Sequence, residues 1–289
     1  MKRRRVCALI FLIILFMPSL AFADFGPKDR VTVKVKNYPD EVYYLDMLQA
    51  HDGNYENIDP QEYDSDMLKY LSSYENEGWY PALYGGTDIP LFGELTGRAE
   101  GEEIVHVFSY FGVPQSFRII IVNKHGVVHV TDEIHRKSLQ SSVTVDYFTG
   151  EVTTPPVWVS YVLQYISTLL PTLLIEGVIL LLMGFSIKRN AALFVWTNIL
   201  TQIILTAICG HSVIIGGPTM GFLRFFPTEM AILATEALIY SCLLKENPQK
   251  PATAKKLTKV FYAASANLVS WGVSLVFANM QFAWLMSFL

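Results

Sequence analysis

Four apolar runs fill the second half of the chain, at about 160–186, 191–210, 226–244 and 259–284. Each is long enough, at about 1.5 Å of rise per residue, to cross the roughly 30 Å of a bilayer's hydrocarbon. Lipid cannot hydrogen-bond an open backbone, so runs of this kind must be helices that satisfy their own N–H and C=O groups. The expectation is an all-α membrane domain of four transmembrane helices over 157–289.

Residues 24–156 read differently. They carry 22 acidic and 10 basic residues, whereas the remainder carries 4 acidic and 12 basic. An acidic segment of this length suits a folded domain in water and is a poor candidate for nucleic acid or anionic lipid. Before it stands MKRRRVCALIFLIILFMPSLAFAD, with basic Lys2 to Arg5, an apolar stretch from Cys7 to Met17 and the small-x-small triplet Ala21-Phe22-Ala23. That is the pattern of a cleavable secretory signal over 1–23, which places 24–156 outside the cell. The exported domain has no cysteine, because Cys7 lies in the signal and Cys209 and Cys242 in apolar runs. It must therefore fold without disulfides.

Loop charges give an independent orientation. Lys188 and Arg189 lie between the first two runs, and Lys245, Lys250, Lys255, Lys256 and Lys259 between the last two. The middle loop, GHSVIIGGPTMGFLRFF, holds only Arg224. The positive-inside rule puts the two Lys-rich loops in the cytoplasm, with 24–156 and the C-terminus outside.

Each run contains a strongly polar residue. Counted from the nearest basic loop, Glu176 and Gln202 fall at about 18–20 Å, and Asn198, Glu236 and Asn267 at about 12–14 Å, as two adjacent layers. Asn198, Thr201 and Gln202 share one helix face, as do Glu229 with Glu236 and Asn267 with Ser270. These faces should turn inward and meet, forming an intramembrane polar layer of Glu176, Asn198, Gln202, Glu236, Asn267 and Ser270. Intramembrane carboxyls are functional candidates, either as an ion or proton site or as hydrogen-bonded helix glue. A weak repeat supports a paired arrangement. Glu176-Gly-Val-Ile resembles Glu236-Ala-Leu-Ile, and Asn198-Ile-Leu-Thr201 resembles Asn267-Leu-Val-Ser270.

The exported domain reads as α+β. RVTVKVKNY alternates as a strand, SDMLKYLSSY is a short helix capped by Asp64 or Ser65, FRIIIVNKHGVVHVTDEI is two strands about a turn at 123–126, and VTVDYFTG is a further strand. The segment 77–97 mixes glycines with Trp79, Tyr80, Tyr84 and Phe92, a combination found in binding loops and equally in loops that wrap a core. His125, His129 and His135 span a turn, a strand and its exit, so no shared metal site is expected. The acidic stretch 51–66 lacks the glycine and terminal glutamate of an EF-hand. No zinc-protease motif, nucleophile elbow or cofactor motif is present.

The stretches TLLIEGVILLLMGF, TNILTQ, EALIY and ANLVSW, in that order, resemble a group of uncharacterised small bacterial membrane proteins with four helices. The resemblance covers about 168–275 and implies a four-span domain in a bacterial cell membrane, without implying an activity. Two functional readings follow. In one, the protein is an accessory or sensor whose exported domain binds a ligand or partner and whose helices couple to another membrane protein or to a second copy. In the other, Glu176 and Glu236 serve proton- or cation-coupled transport.

Overall fold

The computed structural model describes residues 26–289; the secretory signal expected at 1–23 lies outside the described residues. An N-terminal α+β part with two sheets is followed by long apolar helices. Strands are numbered in chain order: β1 (Arg30–Lys36), β2 (Tyr43–Gln49), β3 (Tyr80–Pro81), β4 (Arg98–Glu100), β5 (Glu103–Ser109), β6 (Ser116–Asn123), β7 (Val128–Val130), β8 (Ile134–His135), β9 (Gln140–Asp146) and β10 (Val152–Thr153). One sheet runs β10-β9-β1-β5-β4 and the other β3-β2-β6-β7, with β8 paired to β6.

Alternation builds β1. Val31, Val33 and Val35 are fully buried while Thr32 and Lys34 are not. The strand pairs in parallel with β9 and antiparallel with β5, so that Val33 faces Val143 on one side and His106 on the other. The turn at 123–126 joins β6 to β7, and Asn123 Oδ1 accepts the N–H groups of His125 and Val127. Helix α1 (Ser65–Leu71) starts at Asp64, whose carboxylate accepts from Asp66 and Met67. Its Met67, Leu68 and Leu71 join one core shared by both sheets.

The sequence pattern did not reveal β2. Every residue of YYLDMLQ is buried, so no polar alternation marks the strand. Its Asp46 is fully buried and accepts backbone N–H groups from Met47 at 2.7 Å, Leu83 at 3.0 Å and Tyr84 at 3.0 Å. Burial pushes this carboxyl up to about 7, against the pull of those three donors. His106 on β5 meets Tyr43 Oη on β2 at 3.2 Å across the sheets, and burial lowers it to about 4.

Three helical stretches are long and apolar enough to cross a membrane: Val157–Leu182, Ile187–Leu243 and Lys256–Met286. Helix α2 (Val157–Leu182) ends in a Schellman turn, with Gly184 N–H on Leu181 O and Phe185 N–H on Leu180 O. The second stretch comprises α3 (Ile187–Leu205), a π-helical turn at Thr206–Gly210, and α4 (His211–Leu243). It is broken within α4 at Gly217, whose φ of 74° and ψ of −178° are not helical. A straight helix would hold Thr201 and Glu236 about 50 Å apart; their side chains meet at 3.0 Å. The stretch therefore doubles back at Gly217. The expected loop over 210–226 is instead helical on both sides of that one residue. Pro218 stands at the first position after the break, where a proline is tolerated. Helix α5 (Lys256–Met286) completes the bundle and packs on both α2 and α4.

The α+β part meets the bundle at the Gly217 end. Leu139 N–H donates to Ile214 O at 2.8 Å, and Ser142 N–H donates to Leu289 O. Leu139, Val157, Ile214, Phe282 and Leu285 pack there. The Lys-rich loops lie at the opposite end, tied together by Asn190, which bonds the backbone of Lys245, and by Asn247, which bonds Gly184 O.

Candidate functional site

Six of the eight helical polar residues named from the sequence, Glu176, Asn198, Thr201, Glu236, Asn267 and Ser270, gather in one buried cluster. Glu236 on α4 accepts from Thr201 Oγ1 on α3 at 3.0 Å and from Asn267 Nδ2 on α5 at 2.8 Å, one bond to each carboxyl oxygen. Glu176 on α2 has Asn198 of α3 and Ser270 of α5 as side-chain neighbours, and Glu236 within electrostatic reach. Glu176 and Glu236 are only 2% and 1% exposed, so neither faces lipid. All helices of the bundle contribute.

The neighbours follow a two-fold pattern. Glu236 pairs with the Asn and the Thr of the repeated motif, one from each hairpin; Glu176 has the matching Asn198 and Ser270. Local bonds repeat as well. Asn198 Nδ2 donates to Phe194 O at 3.1 Å, and Asn267 Nδ2 to Ala263 O at 3.0 Å, each one turn back. Thr201 and Ser270 donate to the carbonyls of Asn198 and Asn267.

The pattern breaks at one residue. Four positions after Glu236 stands Tyr240, and four after Glu176 stands Leu180. Tyr240 Oη accepts from Asn198 Nδ2 at 3.4 Å, so the Asn198 amide is turned to a backbone carbonyl and a phenol. Glu176 Oε2 and Asn198 Oδ1 are both buried without a hydrogen-bond partner. Glu236 lacks nothing; Glu176 does. Tyr262, tilted against Tyr240 at 5.2 Å between ring centres, has a buried hydroxyl likewise without a partner.

The structure corrects the depth assignment. Glu176 was expected in a layer with Gln202, above Asn198, Glu236 and Asn267. It lies instead with Asn198 and Glu236. Counting from Lys188 overstated its depth, because α2 ends at Leu182 and residues 183–186 form the turn; Glu176 is about 9 Å from the end of its helix. Gln202 stands apart, one turn toward the α+β end, where its Nε2 donates to Thr172 Oγ1 at 3.4 Å and its Oε1 has no partner. Glu229 is closer still to that end and is held by Trp271 Nε1 at 2.7 Å.

The aromatic segment of the α+β part is anchored to the core. Asp46 holds Leu83 and Tyr84, Gln49 Nε2 donates to Gly86 O, and Asn57 bonds both Ala82 O and Leu91 N–H. Trp79 and Tyr84 are partly buried against the core, and Tyr80 is partly buried in β3; Arg118 covers the Trp79 ring at 4.3 Å. Phe92 is exposed and stacks on Tyr110 at 4.6 Å. The three histidines go to separate partners: His125 to Glu41, His129 to the Tyr147 ring and His135 to Ser116. Among the described residues no group of three or more His, Cys, Asp or Glu could hold a metal ion.

The sequence reading passed over Tyr240, Tyr262 and Thr172. It also passed over a signal that was present: Ser160, Gln164, Thr168, Thr172 and Glu176 recur at every fourth position along α2. No family model, no curated protein and no solved structure matches this chain.

Proposed function

We propose that the helical part is a proton-binding membrane unit and that the Glu176–Glu236 pair takes up and releases the proton. The unequal satisfaction of a two-fold pair carries this reading. Glu236 accepts on both oxygens, while Glu176 Oε2 and the neighbouring Asn198 Oδ1 are two acceptors without a donor. One proton on Glu176 supplies the missing donor. Two bare carboxylates in an apolar interior would carry an uncompensated penalty of several kcal/mol, which a single proton relieves. The other ionisable groups facing the pair are Glu229, Tyr240 and Tyr262, and none is basic. A bound metal cation is a weaker reading, because hard cations take about six oxygens and the set around Glu176 offers fewer.

In this reading the protein sits in a bacterial cell membrane with four crossings, the Lys-rich loops in the cytoplasm and the α+β part outside. The break at Gly217 and the placement of the Lys-rich loops opposite the α+β part support that orientation. An accessory role fits the same site. The α+β part touches the bundle through Leu139 and Ser142, so binding at its exposed edge can bias the helices, and the proton can serve a partner membrane protein or a second copy.

Acid–base titration of the full-length protein in lipid nanodiscs tests the reading. Glu176→Gln should bind one proton fewer than the native chain across the titration, and Thr201→Val should not remove that proton. Equal proton counts for the native chain and Glu176→Gln would refute it.

A further inference from the structure

The surroundings of the carboxyl pair differ on its two sides. Toward the Lys-rich end, Leu180, Phe185, Phe194 and the rings of Tyr240 and Tyr262 are buried together with Ala263 and Ala266. This layer is tightly packed. Toward the α+β end, α2 presents Ser160, Gln164, Thr168, Thr172 and Glu176, four residues apart, over about 24 Å of helix. The facing helix answers in antiparallel order. Asn198 lies beside Glu176, Gln202 bonds Thr172, Thr168 and Thr206 line one cavity, and Gly210 lies against Gln164.

Several acceptors on this line are buried without a partner: Ser160 Oγ, Gln164 Oε1, Gln202 Oε1, Asn198 Oδ1 and Glu176 Oε2. Gln164 is only 6% exposed, and it borders a cavity of about 90 Å³ between α2, the π-helical turn, α4 and α5. The cavity's lining is mostly apolar, with Gln164, Thr168, Thr206, Ser274 and Gln281 as the polar members, and buried polar atoms such as Gln164 Oε1 are the groups that internal water bonds. The π-helical turn at Thr206–Gly210 belongs to the same wall; such insertions bend the local ladder and often mark functional positions. Gly210 leaves room there for the Gln164 amide, whose Oε1 would lie 2.4 Å from a Cβ at that position.

The second hairpin has no such line. Going back from Glu236 by fours gives Ile232, Thr228, Arg224 and Met220, and the position matching Gln202 is Trp271, whose indole is bound to Glu229. The two-fold relation of the carboxyl cluster is thus lost on the α+β side, where the second hairpin's polar groups, Glu229 on Trp271 and Ser274 and Gln281 at the cavity, do not recur at every fourth residue.

From this we infer that the carboxyl pair is reached from the α+β side alone, by water and protons moving along the Ser160–Glu176 line, and is closed on the Lys-rich side by the Leu180–Phe194–Tyr262 layer. The inference rests on the proton-binding reading and gives it a direction. A path open on one side makes the pair a sensor of the pH at the α+β face, or one half of an exchange whose other half needs the apolar layer to move.

Silver ion, a thiol probe close to water in size, tests the path in sealed vesicles of both orientations, with the accessible face identified by protease cleavage of the α+β part. In a full-length chain with Cys7 and Cys242 replaced by Ser, the remaining thiol is Cys209, which lines the cavity. It should react several-fold faster when the α+β face is outward. With Cys209 also replaced by Ser, Thr172→Cys should follow the same orientation, and Leu180→Cys should react in neither. Faster reaction of Cys209 or Thr172→Cys from the Lys-rich side would overturn the inference, as would protection of both from either side. The two claims fail separately. A wrong path leaves the Glu176-dependent proton count intact, and a wrong proton reading leaves the silver pattern intact while the count no longer depends on Glu176.

Discussion

Tyr240 decides how the two carboxyls differ. Its hydroxyl takes a bond from Asn198 Nδ2 at 3.4 Å that has no counterpart at Asn267, where Leu180 stands at the matching place and Nδ2 bonds Glu236. Tyr240→Phe should release that donor toward Glu176, and an added donor lowers a carboxyl stretching frequency. Infrared difference spectra should show the Glu176 band moved to lower frequency, and an unmoved band would contradict the assignment. Asn267→Leu is a harsher change, because it leaves one Glu236 oxygen buried without its donor. A loss of about 1–3 kcal/mol is expected, measured as a lowered unfolding midpoint in detergent. In the α+β part, two buried groups set opposing pH slopes. His106 is lowered from its ordinary 6.5 to about 4, so the unfolded chain binds more protons between those values. The stability this group contributes is present above about pH 6.5 and is lost as pH falls toward 4, by about 3 kcal/mol at most. Asp46 is raised to about 7, so its contribution is present below about pH 4 and is lost as pH rises through 7. Hydrogen exchange of β2 and β6 amides checks the signs: His106→Gln should leave protection that falls with rising pH, and Asp46→Asn protection that rises.

Among the elements, the break inside α4 matters most. Gly217 has a positive φ, and a Cβ there would approach Leu139 Cδ2 to 2.9 Å. Gly217→Ala should cost about 1–2 kcal/mol through the positive-φ backbone, read as a lower midpoint for the helical transition. Local pattern made several elements legible. The Val31-Val33-Val35 alternation marked β1, the Asp64-Ser65 pair marked the start of α1, and 123–126 marked the β6–β7 turn. It failed where burial covers both faces, as in β2, and where glycine and proline suggested a loop between 210 and 226. Prolines at the first turn of a helix do not break it, so the bend fell on one glycine. The membrane polar residues were readable because hydrocarbon leaves them few places to go. Their depths were not, because a count from Lys188 treats the turn after Leu182 as helix. The polar line of α2 was readable too, but only by stepping four residues at a time along the whole helix; the shorter groupings around Asn198 and Asn267 did not reach it.

The molecule as a whole is polar from end to end. An acidic α+β part covers one end of an apolar bundle, basic loops close the other, and a carboxyl pair lies nearer the basic end beneath a packed apolar layer. The α+β part is joined to the bundle by backbone hydrogen bonds of Leu139 and Ser142, beside the buried apolar cluster of Ile214, Phe282 and Leu285. The central claim is that Glu176 holds an exchangeable proton. Infrared titration of the carboxyl region, on the full chain in lipid and on Glu176→Gln and Glu236→Gln, tests it most directly. A protonated-carboxyl band should change with pH, exchange in deuterium oxide and disappear in Glu176→Gln. A band that is absent from the native chain, or that is fixed at every pH and indifferent to solvent deuterium, would contradict it and leave the carboxyl pair as hydrogen-bonded helix glue.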